Sequence, residues 1–107
     1  MIFPRYEITL EVYESTCSIK GHKKGDTFKY PEDKGKMCQW LLAAAEPMIR
    51  VLLFDGILPW GYKGTNYEKE MDKEGITTEF VRCPDPTNHN LVLKIIRKRI
   101  DTVELRD

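Results

Sequence analysis

The stretch Met37-Cys-Gln-Trp-Leu-Leu-Ala-Ala-Ala-Glu-Pro-Met-Ile-Arg-Val-Leu-Leu-Phe54 decides the fold. Met37, Trp40, Leu41 and Ala44 recur at helical spacing, and the run Ala43–Ala45 has high helix propensity. Pro47 lacks an N–H and its ring clashes with the turn before it, so the pattern predicts that a first helix ends there. Proline suits the first turn of a helix, so a second one is expected over Met48–Phe54. That segment is apolar nearly all round, which predicts burial. Gly56 is the expected stop.

The flanks read differently. Upstream, Tyr6, Ile8, Leu10 and Val12 alternate with Glu7, Thr9 and Glu11, so residues 5–14 form a half-buried strand. Ser15–Lys24 is a polar loop, Gly25-Asp26 a turn, and Thr27–Tyr30 a short second strand that pairs with the first. Downstream, 76–82 and 91–100 read as strands joined by the turn Cys83-Pro-Asp-Pro86, an antiparallel hairpin. Before these strands Tyr62–Gly75 is the most polar part of the chain, in which Tyr67–Glu74 reads as a short exposed helix or as a mobile insertion. The order β-β-α-α-β-β predicts a single α+β domain over residues 1–107, with a small antiparallel sheet of about four strands and two helices on one face.

Bulk composition narrows the function classes. Lys plus Arg equals Asp plus Glu at 17 each. A polyanion binder usually has a basic excess, so nucleic acid is not the expected partner. A small molecule or another protein is. Met48–Leu58 is interrupted by Arg50 and Asp55, so it does not read as a membrane span. The start Met-Ile-Phe-Pro-Arg lacks the order of a signal peptide. Three cysteines, an odd number, do not suggest a closed disulfide framework. These features together predict a cytoplasmic protein with reduced thiols.

Chemistry-bearing residues collect at element boundaries. Cys17, His22, Cys38 and Cys83 make a Cys3His set of the kind that holds structural zinc, although no Cys-x-x-Cys pair accompanies it. His89 is a substitute fourth ligand. Free cysteine is also a common core residue, so buried thiols are the competing reading. A third reading is catalytic. A helix beginning near Lys36 puts Cys38 in its first turn, where the dipole favours a thiolate nucleophile, with His22 as base. Asp26 and Asp85 are expected to accept backbone N–H bonds in turns, and Gly25 and Gly56 to supply positive φ. His22 is expected to be exposed in its loop. Trp60 is a lid over the core or the wall of a ligand pocket, and Lys94, Arg97, Lys98 and Arg99 protect a sheet edge.

The order Cys17…Gly21-His22-Lys23-x-Gly25-Asp26-x-Phe28, Cys38, Gly56…Pro59-Trp60, Cys83-Pro84-Asp85-Pro86 resembles a family of small prokaryotic proteins, conserved hypothetical proteins in the usual label. The resemblance covers most of the chain except Tyr62–Gly75. It implies a compact α+β fold and the importance of these positions, and no activity. The expected function is therefore a non-enzymatic binding or accessory module with a Cys/His metal site. A thiol-based redox protein or enzyme using Cys38 is one alternative, and an interaction subunit with structural cysteines is the other.

Overall fold

A computed structural model describes residues 1–16, 22–87 and 90–105. Five elements organise the chain: β1 (Ile2–Ser15), β2 (Thr27–Tyr30), α1 (Gln39–Leu53), β3 (Ile76–Arg82) and β4 (Leu91–Glu104). A 3-10 turn, Lys34–Lys36, precedes α1. The strands form one antiparallel sheet in the order β2-β1-β4-β3. Both hairpins read from the sequence are present, and their long strands pair with each other at the centre. Leu10 lies between Phe28 on β2 and Ile95 on β4.

Period-two burial carries the sheet. Ile8, Leu10 and Val12 on β1 and Leu91, Leu93 and Ile95 on β4 point to one face and are buried. α1 covers that face with Leu41, Leu42, Ala45, Ile49 and Leu52. Tyr30 on β2 donates to Glu46 Oε2 at 2.8 Å, tying the short edge strand to the helix. β1 and β4 run past their neighbours as a two-stranded ribbon, Ile2–Arg5 on Asp101–Glu104. Arg5 and Asp101 form an exposed ion pair on it. The segment after Asp101 thus continues β4 to Glu104.

The two expected helices are one. Pro47 lies inside α1. The buried positions keep a 3.6-residue period through it, so packing on the sheet outweighs a local cost of roughly 3 kcal/mol. Pro47 and Ala43 both face outward. The Ala43 carbonyl that loses its partner at Pro47 therefore meets water rather than the core. The helix also starts later than expected. Cys38 is its N-cap, with φ −58° and ψ 128°.

Gly25 has the expected positive φ, 96°, but Gly56 is not among the positive-φ residues. Its requirement is room. A Cβ there would stand 2.8 Å from Val51 Cγ1 and 2.9 Å from the Val51 carbonyl oxygen. Asp26 and Asp85 take the turn roles expected of them. Asp26 Oδ2 accepts from Lys23 N at 2.9 Å, and Asp85 Oδ1 from Thr87 N at 2.9 Å.

The segment Tyr62–Gly75 contains no helix among the described residues. It is a series of turns running along the free edge of β3. Thr78 N donates to Glu70 O at 3.0 Å, and Asp72 N to Thr77 Oγ1 at 2.9 Å. Far from being uniformly exposed, it sends Lys69 into the interior.

Arg97 also corrects an expectation. It does not guard an edge, because β4 is an inner strand. Its side chain is buried on the α1 side of the sheet. There it donates to Leu52 O at 3.0 Å and Gly56 O at 3.1 Å, and to Thr77 Oγ1 at 3.1 Å. It adds a donor to the Leu52 carbonyl, which also accepts from Asp55 N at 3.2 Å, and reaches the Gly56 carbonyl just beyond α1, where the helix dipole favours a cation. The guanidinium lies 4.1 Å from the centre of the Tyr6 ring. Tyr6 in turn donates to Asp55, just beyond the helix.

Candidate functional site

The fold brings three of the sequence-selected residues, His22, Cys38 and Cys83, to one end of the sheet. Ser15 ends β1 opposite Leu91, and Cys83 N donates to Leu91 O at 2.9 Å just past β3. Ser15 Oγ donates to the His22 carbonyl at 2.6 Å, which holds the loop against the end of β1. The N-terminus of α1 faces the same end. Cys38 N donates to His22 Nε2 at 3.0 Å. His22 is buried rather than exposed, with its ring 5.3 Å from that of Phe28.

This geometry defines what the imidazole does. Nε2 accepts from an amide of the helix N-terminus, so it satisfies one of the four donors a helix leaves unpaired. An accepting Nε2 carries no proton, so the ring is neutral with its hydrogen on Nδ1. The lone pair a general base needs is spent on the Cys38 main chain in this state. Cys38 and Cys83 are free, half-buried thiols packed against the hydrophobic core. Cys17, Gly21 and His89 lie outside the described residues. Among the described residues no three His, Cys, Asp or Glu side chains are grouped to hold a metal ion. His22, Cys38 and Cys83 do not make a zinc site by themselves. A further ligand and a released Nε2 are both required.

A second feature escaped the sequence reading. The solvent face of α1 carries Trp40, Ala44, Pro47 and Val51, and the C-cap Phe54 extends the row, at alternating spacings of four and three residues. Phe54 is 74% exposed, Trp40 51% and Val51 39%. Spacing of this kind is the seam by which one helix packs on another. Ile57 and Trp60 continue the exposed apolar surface along the chain. Trp60 is more than half exposed, so it is not a lid over the core. The signal was present in the sequence. Met48–Phe54 is apolar nearly all round, more than one buried face can use.

A third cluster lies inside, beside β3. Lys69 Nζ and Glu79 Oε1 are 2.7 Å apart, with side chains 1% and 3% exposed. Lys69 also donates to Leu58 O at 3.2 Å, and its ammonium sits 5.1 Å from the centre of the Tyr62 ring. Glu79 Oε2 accepts from Phe80 N at 3.0 Å. Every partner here is internal, so the pair holds the segment after α1 to the sheet.

No helix among the described residues is long and apolar enough to cross a membrane. Comparison with known proteins found no matching family model, no matching curated protein and no matching solved structure.

Proposed function

We propose that the chain is a non-enzymatic accessory module that works as a symmetric pair, joined through the solvent face of α1. The observation that carries this is the stripe Trp40–Ala44–Pro47–Val51–Phe54 at helix-pairing spacing, in which Trp40, Val51 and Phe54 are large apolar side chains left in water. Large exposed apolar surfaces on soluble proteins mark interaction sites. The occupant is a second copy. A seam of this spacing fits a helix bearing the same spacing, and the chain itself carries one. Two-fold pairing, the commonest oligomeric arrangement, sets such a surface against itself. A formal net charge of zero removes long-range repulsion between copies. A cytoplasmic location belongs to the same reading, supported by free thiols at Cys38 and Cys83.

Sedimentation equilibrium tests the proposal. The wild-type chain is expected to be dimeric at micromolar concentration. Phe54→Asp is expected to be monomeric with an unchanged circular dichroism spectrum, since residue 54 is outside the core. A wild-type monomer at hundreds of micromolar overturns the pairing.

Zinc is a second reading, favoured by the His22–Cys38 contact and by Cys83 lying at the same end of the sheet. In it Cys17 supplies a further thiolate, and His22 gives up the Cys38 amide to ligate. Bound zinc would tie loop and helix start together and so stabilise the fold. Protein purified without chelator is then expected to hold about one zinc per chain and to melt lower after chelation. Metal-free protein that zinc does not stabilise contradicts it.

A further inference from the structure

The segment Tyr62–Tyr67 does more than connect. It rises beside the sheet face opposite α1 and leaves a cleft of about 250 Å3 lined by Tyr62, Thr65, Tyr67, Phe80, Arg82 and Val92. We propose that this cleft is a binding site for a one-ring aromatic carboxylate, held against the Tyr67 and Phe80 rings with its anion on Arg82. The site is separate from the α1 face and stands or falls independently of it.

Size and lining define the ligand class. Sites for drug-sized ligands run to roughly 300–1,000 Å3, so this one takes a single substituted ring. Val92 is buried beneath it and supplies an apolar floor. Tyr67 and Phe80 meet edge to face with ring centres 5.5 Å apart, and Tyr13 supports Phe80 at 4.9 Å. Such walls favour a flat aromatic guest.

The walls are also fixed before any ligand arrives. Thr65 Oγ1 donates to Tyr62 O at 2.6 Å and accepts from Tyr67 N at 3.1 Å, which shapes the turn. Tyr13 donates to Asn66 O at 2.6 Å. The Tyr67 hydroxyl lies 2.8 and 2.9 Å from the two Glu14 oxygens. Preformed walls reduce the ordering cost of binding.

Arg82 sets the charge of the guest. One N–H donates to Asn90 Oδ1 and another reaches Tyr67 Oη at 3.5 Å. A guanidinium has five N–H donors, so three remain for an incoming anion. Glu14 is the nearby competitor, but it already accepts from Tyr67 and, at 2.6 Å, from Asn90 Nδ2. Those bonds, the one from Asn90 foremost, hold its carboxyl below the usual range. It therefore stays an anion engaged with its own partners, and Arg82 supplies the donors that face the cleft.

The test is an amide chemical-shift titration of the full chain with benzoate, benzyl alcohol and benzylamine, three rings differing in charge. Benzoate is expected to shift Thr65, Tyr67, Phe80 and Val92 saturably, in the millimolar range or below, with benzyl alcohol weaker and benzylamine weakest. Arg82→Gln, an exposed change, is expected to weaken benzoate about tenfold or more and to leave benzyl alcohol unchanged. No saturable shift at these amides by about 10 mM benzoate, equal affinity for the three rings, or wild-type benzoate affinity in the variant overturns the proposal.

Discussion

Lys69→Met is expected to cost about 3–5 kcal/mol of stability, the usual loss when one member of a buried ion pair is removed. The variant strands Glu79, whose side chain is 3% exposed, without its cation. It also leaves the Leu58 carbonyl without the ammonium donor and takes the cation from the face of Tyr62. The double variant Lys69→Met with Glu79→Leu is expected to recover most of the loss. A buried pair replaced by apolar side chains of similar volume is often neutral or better. Urea unfolding midpoints of the two singles and the double measure this. Single variants within about 1 kcal/mol of wild type would mean that water reaches the pair and that the segment after α1 is not locked to β3.

Leu52→Ala and Ile95→Ala are expected to cost about 2–5 kcal/mol each, the range for buried aliphatic truncations. Both side chains belong to the core under α1, Leu52 from the helix and Ile95 from the central strand. Leu52 stands where the apolar core gives way to the Arg97 cap, whose guanidinium bonds to the Leu52 carbonyl. Its removal loosens packing and leaves that main-chain bond in place. The loss should therefore appear as a lowered unfolding midpoint with a native spectrum. A cost under about 0.5 kcal/mol at both positions would mean that α1 does not rest on this face of the sheet.

The strands were legible from alternation in β1 and from runs of β-branched and apolar residues in β3 and β4. Tyr6 to Val12 announces one wet face and one dry face, and the turn at Pro84-Asp85-Pro86 announces a hairpin. The helix was legible as helical residues but not as one rod. Pro47 looks like a boundary in sequence, and only its place on the solvent side shows why the rod continues. Arg97 and Lys69 were misread because a charged residue in a polar context reads as surface. What buries them is a partner distant in sequence: the end of α1 for Arg97, Glu79 for Lys69. His22 was misplaced for the same reason, since the Cys38 amide that draws it inward comes from a later element. The α1 seam was misread in the opposite direction. Val51 and Phe54 read as core because they are apolar, but only one face of a helix can touch one sheet. The surplus on the other face is what the proposed pairing rests on. The cleft was not legible, because its walls come from three segments that the fold brings together.

The pairing of two copies through α1 is tested most directly by intermolecular nuclear Overhauser effects in a mixture of isotopically labelled and unlabelled chains. Cross-peaks are expected between the Val51 methyl groups of one copy and the Trp40 or Phe54 rings of the other, and are expected to be lost in Phe54→Asp. Cross-peaks confined instead to the ribbon of Ile2–Arg5 and Asp101–Glu104, or none at a concentration where the wild-type chain is dimeric, would contradict it.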